Sequence, residues 1–130
     1  MIVVDASVVV LALGEDAADG TRMRARLLEE QLTAPEIIDV EVIAAWRRLV
    51  QRGQLADGRA AEAVRDLSLL PVQRAPHQPL LERCWELRDT VTVYDAAYVA
   101  LAEAFDVPLI TADGRLSRSS GLRCAVELIT

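Results

Sequence analysis

The chain contains no lysine. All 14 basic residues are arginines, set against 20 acids for a formal net charge of -6. Chemistry that needs a lysine is therefore excluded. The acidic balance argues against a general nucleic-acid coat or a binder of anionic membranes, both of which are basic overall. It leaves open a site that reaches phosphate through metal ions. Histidine is almost as scarce: His77 stands alone in an APHQP stretch, which rules out a metal-free ribonuclease mechanism built on a histidine pair. The two cysteines, Cys84 and Cys124, form neither a CxxC motif nor a Cys/His cluster, so neither a disulfide scaffold nor a structural zinc site is expected. No apolar run approaches the roughly 18 residues of a membrane span. The opening MIVVDASVVVLALG is broken by Asp5 and lacks the basic start of a signal peptide. The expectation is a soluble cytoplasmic protein with no membrane partner.

What is present is enough for one folded unit. At 130 residues, 52% of them hydrophobic, the chain suits a single domain spanning 1–130. With only 4% aromatic residues, its core must be built from Val, Leu, Ile and Ala. Residues 2–4 read as a short buried strand ended by Asp5, and residues 6–13 as a helix stopped by Gly14. Helices are predicted over 18–32, 39–52 and 57–69. The second has a Val42, Ala45, Trp46, Leu49 stripe and Gly53 as its stop, and it forms a hairpin with the third. Short strands are predicted at 33–35, 70–72, 107–111 and 124–128. An amphipathic helix is predicted over 78–88, with Leu81, Cys84 and Trp85 on one face. A buried helix is predicted over 94–105, and a short one after Asp113. Strands alternating with helices imply parallel pairing, hence an α/β sandwich.

Acids recur where strands end or helices begin: Asp5 in VVDAS, Glu41 in PEIIDVEV, Asp95 in TVYDAAY and Asp113 in LITAD. Ligands of open parallel sheets bind outside the carboxyl ends of the strands, so the four acids are placed to meet there. Singly, each also fits a helix cap or a turn: Thr92 to Asp95 resembles a capping box, and Asp113-Gly114 is a turn signal. Together they are harder to explain that way. Clustered carboxylates repel one another, and no lysine exists to neutralise them. A divalent cation removes the conflict, and hard oxygen ligands select Mg²⁺ or Mn²⁺ over zinc. Ser7 and Thr111, each two residues from an acid, are candidates to orient a carboxylate or a metal-bound water, or to make local backbone bonds instead.

In these motifs the chain resembles the PIN-domain ribonucleases, and among them the VapC-type toxins of bacterial toxin–antitoxin pairs. The resemblance rests on the strand ending in DAS, Glu41 in DVEV, the YDAAYVALAE segment and the LITAD strand end, in that order. It implies a three-layer sandwich with a short central parallel sheet flanked by helices. It also implies that Asp5, Glu41, Asp95 and Asp113 form an acidic quartet binding Mg²⁺ or Mn²⁺. The implied activity is endoribonuclease hydrolysis of an RNA phosphodiester, leaving a 5′-phosphate and a 3′-hydroxyl. The implied partners are a second copy in a homodimer and a small VapB-like antitoxin lying over the acidic pocket. A further acid found in some relatives after the last motif is replaced here by Gly114, Arg115 and Leu116.

The remaining residues refine this. Arg115 and Arg118 follow Asp113 closely and are candidate RNA contacts. The arginines at 22, 24 and 26 read as a solvated helix face. Trp46, Trp85, Tyr94 and Tyr98 read as packing residues, and the cysteines as buried inert thiols. Trp46, Leu49 and Leu67, with Val10 and Leu11, are candidates for an apolar groove that an antitoxin would occupy. A phosphoacceptor receiver domain would need a lysine. A haloacid-dehalogenase-type phosphatase would need an acid where Ser7 stands. A catalytically silent PIN-like module that only binds a partner remains as the alternative.

Overall fold

The computed structural model describes residues 1–130. The strands are β1 (Ile2–Val4), β2 (Leu32–Pro35), β3 (Val72–Ala75), β4 (Leu109–Thr111) and β5 (Val126–Leu128). The helices are α1 (Ala6–Gly14), α2 (Ala18–Leu28), α3 (Ile38–Gln51), α4 (Asp57–Leu69), α5 (Leu81–Glu86), α6 (Val93–Phe105) and α7 (Gly114–Ser117). All strand pairings are parallel, in the order β3-β2-β1-β4-β5. The three residues of β1 are all buried. Side chains alternate faces along a strand, so both faces of the sheet are covered, and the α/β sandwich expected from the sequence is what forms. One group of helices gathers on α1, which packs against α2, α3 and α4; the other is α6 with α5.

The topology decides where a site can lie. From β1 the chain steps outward through β2 and β3, then crosses back to place β4 and β5 on the other side. The order therefore reverses between β1 and β4, and their carboxyl ends frame the crevice where open α/β sheets bind ligands.

Individual residues explain the helix packing. Trp46 of α3 is 1% exposed, and its Nε1 donates to the Val10 carbonyl at 3.2 Å. Gly14 is required by this contact: a Cβ there would lie 2.6 Å from Trp46 Nε1. Gly53 ends α3 with φ at 70°, a backbone conformation that glycine adopts without the Cβ penalty.

Several boundaries differ from the sequence reading. The helix predicted over 18–32 ends at Leu28, because Leu32 is drawn into the sheet opposite Ile2. The strand predicted at 70–72 runs instead from Val72 to Ala75, in register with β2. The helix predicted over 78–88 is a 3₁₀ turn at Gln78–Leu80 followed by α5. Its inward residues are Leu80, Cys84 and Leu87, whereas Leu81 and Trp85 face outward. Trp85 and Tyr94 are thus exposed rather than packed, and Cys124 is only half-buried. The strand predicted at 107–111 starts at Leu109, after Pro108, which has no N–H to give a ladder.

Candidate active site

Asp5 follows β1 directly and is 6% exposed. It occupies the N-cap position of α1, yet its side chain makes no cap hydrogen bond. Its Oδ2 instead accepts from the hydroxyls of Ser7 and of Thr111, the latter at 2.9 Å across the crevice from β4. Each hydroxyl is itself fixed from behind: Ser7 Oγ accepts from the Ala112 N–H, and Thr111 Oγ1 from the Asp113 N–H, both at 3.0 Å. Each has one proton to give, and both are spent on the same carboxylate oxygen. Despite these bonds, burial pushes the Asp5 carboxyl above its ordinary pKa.

Glu41 stands in the first turn of α3, where the helix dipole favours an acid. Its Oε1 accepts from the hydroxyl of Tyr98, a fully buried residue of α6, at 2.8 Å. The backbone N–H of Ile37, at the start of α3, donates to His77 Nε2 at 3.0 Å. The single histidine thus pins the helix end that carries Glu41. Asp95 lies in the first turn of α6, whose N-cap Thr92 accepts from the Asp95 N–H at 3.1 Å. Asp113 caps α7, accepting from the Arg115 N–H at 2.9 Å, and it also pairs with the exposed Arg115 guanidinium at 3.3 Å.

The electrostatics separate Asp113 from the other three. Glu41 is pushed up by burial, and further by Asp5 and Asp95, against the Tyr98 hydrogen bond. Asp95 is pushed up by burial and by Asp5 and Asp113. Asp113 is held down: burial opposes this, but the Arg115 hydrogen bonds and the charges of Arg115 and Arg118 outweigh it. Elsewhere the arginines pair with other acids, such as Asp16, Asp39 and Glu103. Three carboxylates therefore share one edge of the sheet without an ion pair of their own, close enough to perturb one another, with Asp95 alone feeling the charge of Arg115. They are not drawn into a ready cage, since no three acidic, histidine or cysteine side chains converge on one point. An all-oxygen donor set of mutually repelling acids fits a hard divalent cation such as Mg²⁺ or Mn²⁺ better than a soft one.

The structure also places the supporting candidates. Ser7 and Thr111 hold Asp5, as described. Arg115 is committed to Asp113. Arg118 acts on it through charge alone, with its guanidinium over Gly114. Trp46, Leu49 and Leu67 with Val10 and Leu11 are not an open groove: they are packed in the interior or against it. Of these only Trp46 reaches the open cleft between α3 and α4, which runs along Ile43, Val50 and Val64. The Tyr98–Glu41 bond and the His77 tether escaped the sequence reading. Only the first leaves a trace there, because Tyr98 is three residues after Asp95 and so shares its helix face.

Comparison with known proteins gives a consistent picture. The family model described as "PIN domain" matches residues 2–122. Ribonuclease VapC1 of Mycobacterium tuberculosis is 44% identical over 98% of this chain and 96% of its own length. Ribonuclease VapC12 of the same organism is 45% identical over 99% of each. Among solved structures, Mycobacterium tuberculosis VapC20, described as a sarcin–ricin loop cleaving toxin, superposes with a TM-score of 0.70. It is 20% identical, over 94% of this chain and 96% of that one. VapBC2 of Rickettsia felis, solved with a DNA fragment from its promoter, matches at 14% identity and a TM-score of 0.67, covering 98% of both chains.

Proposed function

The chain belongs to the PIN-domain family and, within it, to the VapC ribonucleases, and from that membership we propose that it is a metal-dependent endoribonuclease toxin restrained by a cognate antitoxin. The observation that carries this reading is the uncompensated set of Asp5, Glu41 and Asp95, completed by Asp113, at the crevice between β1 and β4. These four would hold Mg²⁺ or Mn²⁺. Once bound, the ion supplies a more acidic water and neutralises charge at the scissile phosphate.

The chain's own residues prepare that site. Ser7 and Thr111 fix the orientation of Asp5, and Tyr98 fixes that of Glu41. The caps at Thr92 and Asp113 hold the helix starts that bring Asp95 and Asp113 to the same edge. Arg115 and Arg118 stand on the solvent side of Asp113, where an incoming phosphate would meet them. Hydrolysis breaks the P–O3′ bond and leaves a 5′-phosphate and a 3′-hydroxyl.

The same charge imbalance supplies a means of restraint. An antitoxin segment that offers an arginine to these acids would neutralise them and compete with metal and substrate. We assign the chain to the cytoplasm, as one PIN domain over 1–130 acting as a homodimer with RNA as substrate. Cleavage of a structured RNA in Mg²⁺ or Mn²⁺, compared between the parent and the Asp5→Ala and Asp95→Ala variants, tests the assignment. Both variants should lose activity. Undiminished cleavage by them would favour a silent PIN-like module, with the cutting due to a contaminant.

A further inference from the structure

The loop between α5 and α6 builds one wall of a surface that reaches the acidic quartet at Asp95. The polar side chains of Arg88, Asp89, Thr90, Thr92, Asp95, Arg115 and Ser119 line an open concavity of about 440 Å³. Arg88 has no acidic partner. Its Nη1 donates to the Trp85 carbonyl at 2.8 Å, and its guanidinium lies 4.2 Å from the centroid of the Trp85 ring. Trp85 is 66% exposed near the end of α5. Trp85 does not itself line the concavity; it is joined to it through Arg88, which does, and an exposed tryptophan held by a cation in this way serves no need of the core.

Resting on the nuclease reading above, we propose that this cavity is a nucleotide subsite for RNA flanking the scissile phosphate. Trp85 stacks a base beside the concavity, and Arg88, which has no acidic partner, takes up phosphate charge within it. The hydroxyls of Thr90 and Ser119 hydrogen-bond the ribose–phosphate backbone. Base–aromatic stacking tolerates any sequence, because every base has a π-face, and an arginine adds a cation–π contribution. The lining favours nucleic acid over protein: only Val91 and Leu116 of its nine residues are apolar, whereas a protein-docking patch has an apolar centre depleted of charge. In a chain of net charge -6, with Asp89 and Asp95 also in the lining and Arg115 paired with Asp113, Arg88 is the cation left open to an approaching phosphate.

The test is binding of a labelled single-stranded RNA oligonucleotide of mixed sequence to the full chain in chelator, so that nothing is cut. Trp85 is the exposed one of two tryptophans and Trp46 the buried one, so RNA should quench the emission of Trp85 alone. Trp85→Ala should weaken binding about tenfold, within the range that losing one stacked base gives. Trp85→Phe should retain most of the affinity while abolishing the quenching. Arg88→Gln should reduce the slope of log K against log salt by about 0.7. Both side chains are largely outside the core, and a parental melting temperature verifies that the variants fold. Parental affinity in Trp85→Ala, together with unquenched parent emission, would overturn the subsite. So would parental RNA affinity accompanied by loss of self-association in sedimentation, which would assign Trp85 to a second copy. A parent that neither binds nor cleaves RNA in Mn²⁺ would bring down the nuclease reading as well. A parent that cleaves, with variants that bind as it does, would bring down the subsite alone.

Discussion

Replacing Tyr98 by phenylalanine removes one oxygen atom and nothing else from the site. That hydroxyl is fully buried and donates to Glu41 at 2.8 Å. A hydrogen bond to a charged group contributes about 1.5–3 kcal/mol. Glu41 is half-buried, so water replaces part of the lost bond and the low end applies, about 1.5 kcal/mol. For a chain of this length that lowers the melting temperature by about 5–8 °C. The functional effect is larger than the structural one. Glu41 loses the donor that orients it, and removing an orienting partner of a metal ligand typically costs about 10–100-fold in metal affinity or activity. The half-maximal Mn²⁺ concentration for RNA cleavage should rise about tenfold, with the plateau rate at saturating metal close to the parent's. The hydroxyl also favours the charged form of Glu41, so its loss pushes that carboxyl further up and moves the rise of activity to higher pH. Melting by circular dichroism and Mn²⁺-dependent cleavage across pH measure these effects. A variant with parental melting temperature, Mn²⁺ dependence and pH profile would refute the positioning role of Tyr98.

Three further outcomes follow from the same physics. Asp5, Glu41 and Asp95 all have carboxyls raised first by burial. Their contribution to stability is therefore complete below the unfolded carboxylate pKa of about 4 and is lost as pH rises through the raised folded values. In chelator, Asp5→Asn should be more stable than the parent at neutral pH, with the gap closing toward pH 4; urea unfolding at several pH values would contradict this if the variant were less stable throughout. Trp46→Ala should cost about 3–5 kcal/mol by opening a cavity between α1 and α3, measured by denaturant melting, and a loss under about 1 kcal/mol would mean that the site collapses around the gap. Thr92→Ala should cost about 1 kcal/mol through the lost cap of α6 and lower cleavage by shifting Asp95; stability and activity both at parental levels would show that the cap does not hold Asp95.

Much of the fold was legible in the sequence because burial pattern and chain punctuation agree. The pattern over 57–69 predicts a helix with the ends that α4 has, and the position of Gly53 alone marks the stop of α3. Apart from Pro108, which delays β4 locally, the differences arise where tertiary packing overrides local periodicity. Leu32 continues the helical pattern of α2, but hydrogen bonding beside Ile2 takes it into the sheet. In α5, the leading 3₁₀ turn rotates the helix, so Leu80 and Leu87 go inside and Trp85 goes out. The proposed quartet can be put together from the sequence because topology sends strand ends and helix starts to one edge. Its supports are less legible. Ser7 and Thr111 sit close to the acids in sequence and could be named. The Tyr98 hydroxyl reaches a carboxylate 57 residues away, and His77 reaches a backbone N–H 40 residues away. Neither pairing has a local signature.

The most direct measurement is anomalous diffraction from crystals grown or soaked in Mn²⁺. The account predicts a manganese peak among the carboxylates of Asp5, Glu41, Asp95 and Asp113, absent from the same crystals of Asp5→Asn. Manganese bound only elsewhere, or no peak at millimolar metal in a crystal whose crevice is open to solvent, would contradict it.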